Sequence, residues 1–156
     1  MPSRKVQPSR GSGNVTNPLR AVFDTNVFVS ASLSKNPSSP TRELWERWKK
    51  EEFTLLTCQQ IVEELVEILM RRNLSLDDIM EPVSALARAA EWVDVPAEKI
   101  EALLSDPDDN VVVACAVEGK ANYLVTYDPH FDSLNGDYRG IKIVKAIPFL
   151  EVLRNG

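Results

Sequence analysis

From residue 19 onward, short runs of β-branched, aliphatic or aromatic residues alternate with longer segments in which apolar residues recur at helical spacing. The first pattern predicts buried strands and the second amphipathic helices; their alternation predicts βαβ units around a parallel sheet. Strands are expected at LRAVF (19–23), FTLLT (53–57), WVDV (92–95), NYLVT (122–126) and IKIVK (141–145). A helix is expected directly after the first strand, and others near 40–50, 58–72, 76–90, 107–118 and 147–154. Thr57 and Gln60 resemble a capping box at the start of the 58–72 helix, and Pro148 suits the first turn of the last one.

Within the 58–72 segment, Ile61, Val62, Leu65, Val66, Ile68 and Leu69 define one buried stripe. Glu67 falls opposite the stripe, and Glu63 and Glu64 fall on its two borders. Periodicity does not choose between those two. Open parallel sheets bind ligands at the carboxyl ends of their strands, where the strand order reverses. Asp24 directly follows the first expected strand and Asp128 comes two residues after the fourth, so both acids are expected on one rim.

A length of 156 residues with 44% hydrophobic and 26% charged positions suits one globular domain. The apolar run VVVACAV (111–117) falls far short of the ~20 residues of a membrane-spanning helix. Residues 1–18, MPSRKVQPSRGSGNVTNP, have three prolines and three basic residues, no acid and little that is apolar, so they are expected to form a disordered tail ahead of a domain at 19–156. Cys58 and Cys115 lie among apolar residues without metal-ligand spacing and read as buried free thiols, which fits the reducing cytoplasm.

The formal net charge is −5, and with the basic tail set aside the body carries 15 basic against 23 acidic residues. That excludes a broad electrostatic grip on nucleic acid, which needs clustered Lys and Arg. It leaves open a nuclease whose acids crowd one site and bind cations.

Each acid also has a plain structural reading. Asp24 suits the N-cap of the following helix. In SDPDDNVVVACA, Asp106 as N-cap, Pro107 at the first helical position and Asp109 in the first turn make a good helix start. An EF-hand loop fails there, because its glycine position is Val111 and Glu118 falls one residue late. Asp128 suits a turn before Pro129, and the lone His130 reads as a loop residue. Arg71 and Arg72 read as a solvated helix end, with a phosphate contact as the alternative. A cluster of several acids, by contrast, repels itself and calls for a hard divalent cation such as Mg²⁺ or Mn²⁺.

Together, VFDTNVFVSA, QQIVEELVEIL and SDPDDNVVVACAVEGKANYLVTYD resemble, in order and spacing, a PIN-domain protein, and within that group the toxin components of bacterial toxin–antitoxin systems. The similarity spans about residues 19–153. It implies a three-layer α/β/α sandwich with a central parallel sheet ordered 3-2-1-4-5, and a metal-dependent single-strand ribonuclease site. Carried over, its acids are Asp24, Glu64, Asp109 and Asp128, with Asp106 as the alternative third acid, and Asn26 and Thr126 as residues that hydrogen-bond around them. Two departures stand out. Asn110 occupies the place before VVVA where many PIN domains have an aspartate, and His130 stands where many carry a further acid.

The function so implied is hydrolysis of single-stranded RNA with Mg²⁺ or Mn²⁺ held by Asp24, Glu64, Asp109 and Asp128. A small antitoxin is the implied partner, and a homodimer is common in such proteins. The competing reading is a regulatory PIN module that binds RNA or protein without turnover. A receiver-like phosphoacceptor domain would use Lys145, but it needs an acid pair after the first strand, where Asp24 is flanked by Phe23 and Thr25.

Overall fold

The computed structural model describes residues 18–156. All of the expected tail except Pro18 lies outside the described residues.

In chain order the elements are β1 (Arg20–Phe23), α1 (Thr25–Leu33), α2 (Pro40–Lys49), β2 (Thr54–Thr57), α3 (Gln59–Met70), α4 (Leu76–Ala89) and β3 (Glu91–Trp92), then α5 (Pro107–Glu118), β4 (Tyr123–Val125), β5 (Asp137–Tyr138), β6 (Ile141–Val144) and α6 (Ala146–Asn155). Short 3-10 turns cover Ala97–Lys99 and Pro129–Leu134.

One sheet runs β3-β2-β1-β4-β6-β5, parallel except for the β5–β6 pair. The five expected strands stand in the expected order, and β5 is an added edge strand. Its hairpin turns through Arg139 at φ 53° and Gly140 at φ 85°, the left-handed pair that a two-residue hairpin needs. An arginine there is a weak sequence signal, so the hairpin was not legible.

The central strands are buried on both faces, which is why they read as unbroken apolar runs: Ala21, Val22, Phe23, Leu55, Leu56, Leu124 and Val125 are all in the core. On one face Phe23 packs with its ring centroid 5.5 Å from that of Phe28 and 5.7 Å from that of Phe53, and Phe149 of α6 meets it edge-on at 6.5 Å. Burying each such ring contributes about 1.5–3 kcal/mol. Alternation turns Leu56 to the opposite face, beneath the end of α5. A Cβ on Gly119 would lie 3.0 Å from Leu56 Cδ1 and 2.9 Å from Val93 Cγ2, so glycine permits this close approach. Helices thus cover both faces of the sheet, giving the α/β/α architecture.

Two local expectations are corrected. The third strand is Glu91–Trp92 rather than 92–95, because β2 ends at Thr57 and leaves only Leu56 and Thr57 to pair with it. The capping box is absent: Cys58 is the N-cap of α3 without a side-chain bond, and Gln60 Nε2 donates to Val95 O at 2.9 Å. Thr57 belongs to the strand, and its buried hydroxyl has no partner among the described residues.

Strand pairing continues one residue beyond β1 and β4. Asp24 N donates to Val125 O at 2.9 Å and Thr126 N to Val144 O at 3.0 Å. Both side chains therefore leave the sheet at its carboxyl rim, between the two strands where the order reverses. Among the described residues no helix is long and apolar enough to cross a membrane.

Candidate acidic site

Asp24 is both a helix cap and a site residue. Its Oδ1 accepts from the Thr25 amide at 2.8 Å at the start of α1, and its Oδ2 accepts from Thr126 Oγ1 at 2.7 Å. Thr126 Oγ1 in turn accepts from the Asp128 amide at 3.0 Å, so one hydroxyl ties the β1 and β4 rims together. Asp24 is only 4% exposed.

The start of α5 brings the third acid. Asp106 caps the helix by accepting from the Asp108 amide at 2.9 Å, and Pro107 opens the first turn. That turn aims Asp109, 5% exposed, at the rim. One carboxylate oxygen each from Asp24, Asp109 and Asp128 lie within 4.8 Å of one another, and Asp106, Asp109 and His130 form a second such group. Asp109 belongs to both.

On α3, Glu64 faces the site and Glu63 does not. Glu64 Oε1 accepts from Thr25 Oγ1 at 2.8 Å, whereas Glu63 accepts from Gln59 Nε2 on the exposed side. Glu64 stands outside the close triad but within its field. Asn26 is exposed on α1, and its side chain makes no hydrogen bond among the described residues; the neighbouring Thr25 reaches the acids instead. Arg71 and Arg72 are exposed at the opposite end of α3, which spans about 18 Å from the end that leaves the rim.

Asn110 turns away from the acids. Its Oδ1 accepts from the Leu103 and Leu104 amides at 3.1 and 2.8 Å, and its Nδ2 donates to Leu104 O at 3.0 Å. It pins the loop that leads into the DPDD turn. His130, read from sequence as a loop residue, instead engages the site. Its Nδ1 lies 3.1 Å from Asp109 Oδ2 and 3.2 Å from Asp128 Oδ1, so this nitrogen carries the proton. No sequence signal pointed to that contact, which depends on the 3-10 turn after Asp128.

The crowding has an electrostatic signature. Burial pushes Glu64 up to about 7, and Asp108, Asp24 and Asp106 add to the shift against the Thr25 hydrogen bond. Burial likewise raises Asp109 to about 6, with Asp128 and Asp24 adding and His130 opposing. Asp24 is raised by burial, against its bonds from Thr126 and Thr25. His130 is raised by its bond to Asp109 and by Asp128. Among the described residues no lysine or arginine ion-pairs with Asp24, Glu64, Asp109 or Asp128. A pocket of hard oxygen donors with only an exposed imidazole as counter-charge fits a divalent cation.

This arrangement sets a pH dependence for the metal-free protein. An acid whose pKa is higher folded than unfolded favours the fold while protonated. Its contribution is full below the ordinary carboxylate range and is lost as pH rises through the folded values, here up to about 7. His130 acts in the same sense. Glu43, lowered by Arg154 and Arg47, acts oppositely, but below its ordinary value of 4.5. In EDTA, the protein is therefore expected to lose on the order of 1–3 kcal/mol between pH 5.5 and pH 8, after allowance for solvent screening. Thermal melts check this: Mn²⁺ is expected to shrink the gap, and equal melting at both pH values in EDTA would contradict it.

An open parallel α/β/α sheet with an acidic pocket at its reversal point defines the class of protein. More particularly, the chain belongs to the PIN-domain family, whose model matches residues 20–130. Solved structures share the fold at low identity. VapBC2 from Rickettsia felis, bound to a DNA fragment from their promoter, is 14% identical with a TM-score of 0.57, covering 80% of this chain and 97% of that one. VapC20 of Mycobacterium tuberculosis, a sarcin–ricin loop cleaving toxin, is 12% identical with a TM-score of 0.58, covering 78% and 98%. FitAcB from Neisseria gonorrhoeae is 17% identical with a TM-score of 0.53, covering 81% and 98%. No curated protein matches the sequence.

Proposed function

We propose that the chain is a divalent-metal-dependent endoribonuclease acting on single-stranded RNA, and that it serves as the toxin of a toxin–antitoxin pair. The observation that carries the reading is the convergence of Asp24, Asp109 and Asp128, with carboxylate oxygens within 4.8 Å of one another, at the carboxyl rim of a PIN fold. The likeness to VapC20, a sarcin–ricin loop cleaving toxin, supports RNA as the substrate class.

In this reading Asp24, Asp109 and Asp128 hold Mg²⁺ or Mn²⁺, Glu64 extends the acidic wall on the α1 side, and Asp106 flanks it at the start of α5. The bound cation supplies Lewis acidity toward a phosphoryl oxygen and lowers the pKa of a water. The residues themselves do the positioning. Thr126 and the Thr25 amide hold both oxygens of Asp24, so that carboxylate cannot swing between rotamers. The Thr25 hydroxyl holds one oxygen of Glu64. His130 offsets part of the negative charge at the mouth of the pocket.

The non-catalytic alternative drew on Asn110 and His130. Asn110 is bonded to the 103–104 loop, so it removes no acid from the cluster. The toxin reading makes a small antitoxin that occludes the acidic cleft the expected partner, a homodimer the expected assembly and the cytoplasm the expected compartment.

The test is incubation of the full-length protein with end-labelled, unstructured RNA in Mg²⁺ or Mn²⁺. Cleavage of the single strand is expected, with none in EDTA and little on the same sequence annealed to its complement. Intact RNA with both metals overturns the reading.

A further inference from the structure

We propose that Tyr127 is a stacking platform for a base of the single-stranded RNA substrate, beside the acidic site. The inference rests on the ribonuclease reading above and adds a residue that holds the substrate.

Tyr127 sits between Thr126, which bonds Asp24, and Asp128 of the acidic triad. Its backbone is pinned on both sides, by Thr126 N on Val144 O at 3.0 Å and by Asp128 N on Thr126 Oγ1 at 3.0 Å. Yet the residue remains 41% exposed, although it adjoins the buried residues Val125 and Thr126. A large ring kept at the surface within one residue of two site groups gives little to the core.

The chain after β6 runs alongside Tyr127, where α6 begins at Ala146 and its N-cap Lys145 contributes no side-chain bond. Lys145 is exposed at the end of β6, the strand beside β4, and makes no ion pair among the described residues. Tyr127 and Lys145 thus follow neighbouring strands at the same rim, one an exposed aromatic residue and the other a cation with no ion pair among the described residues. Those are the two groups by which proteins hold single strands without reading sequence.

An acidic protein needs such a contact. With a body near −8, phosphate attraction is weak, and stacking binds the uncharged part of the nucleotide. A duplex, with its bases already stacked on one another, cannot use it. Tyr127 therefore also gives a physical reason for preferring single strands.

The experiment measures anisotropy of a fluorescein-labelled 12-nucleotide oligouridine with the full-length protein in Ca²⁺. Tyr127→Ala is expected to weaken binding about 5- to 150-fold, the range for loss of one base–aromatic stack. Tyr127→Phe is expected to stay within about threefold of wild type, since it keeps the ring. In Tyr127→Trp, the added indole fluorescence is expected to be quenched by the oligonucleotide. Thermal melts of each variant show that the fold is kept, as suits an exposed position. Equal affinity of wild type and Tyr127→Ala overturns the inference and leaves the ring to a protein contact. If wild type neither binds nor cleaves RNA, the ribonuclease reading itself falls, and the inference with it.

Discussion

Asp24→Asn is expected to lower the RNA cleavage rate on the order of 10³-fold or more while leaving the melting temperature in EDTA at pH 8 unchanged or raised. The substitution keeps the shape of the side chain. Asn Oδ1 can still accept from the Thr25 amide, and Nδ2 can donate to Thr126 Oγ1 once that hydroxyl proton rotates away. What is lost is one negative charge from a buried pocket, where burial and the neighbouring Asp128 and Asp106 already disfavour it. Loss of function with no loss of stability is the mark of a group kept against the interest of the fold. Cleavage assays in Mn²⁺ beside thermal melts in EDTA check both halves. A variant that cuts as fast as wild type removes Asp24 from the site, and one that melts many degrees lower makes Asp24 a structural cap.

Asn110→Asp gives the second large effect, in the opposite direction from what the family resemblance suggests. The substitution restores an acid where many PIN domains carry one, yet it is expected to destabilise the protein by roughly 2–4 kcal/mol and to bring no gain in cleavage. Asn110 is 6% exposed, and its Nδ2 donates to Leu104 O at 3.0 Å. An aspartate puts a charged oxygen against that carbonyl, away from the acidic triad. Protonation lets the carboxyl donate again, so the defect is expected to be smaller at pH 5 than at pH 8. Denaturant melts at the two pH values, with cleavage assayed on the same samples, check this. Faster cleavage at unchanged stability would make position 110 a vacant corner of the site. Asn110→Ala, which leaves the Leu103 and Leu104 groups unpaired, is expected to be destabilising at both pH values.

The contrast between Asn110 and Asp109 marks the limit of reading one dimension. Both lie in the first turn of α5 and both are buried, but consecutive helix positions point about 100° apart. One carboxylate meets the β1 and β4 rims and the neighbouring amide meets a loop. The identity of the residues records neither direction. Glu63 and Glu64 posed the same problem, which the Thr25 hydroxyl resolved. His130 and Tyr127 came from the turn after β4, which has no hydrophobic period to read.

The order of the principal strands in the sheet came with the family resemblance; by itself the sequence determined the α/β class, the places of five strands along the chain, the stripe of α3, and Asp24 and Asp128 as residues on one rim. Those properties follow from local periodicity and from strands that announce their burial on both faces. The tertiary structure alone decided which carboxylates meet, that Asn110 serves a loop, that β5 closes the edge of the sheet, and that Tyr127 stays exposed between Thr126 and Asp128. Those outcomes depend on contacts between residues far apart in the chain, such as Thr126 with Asp24, 102 positions away. Such contacts exist only once the sheet brings the ends of β1 and β4 side by side.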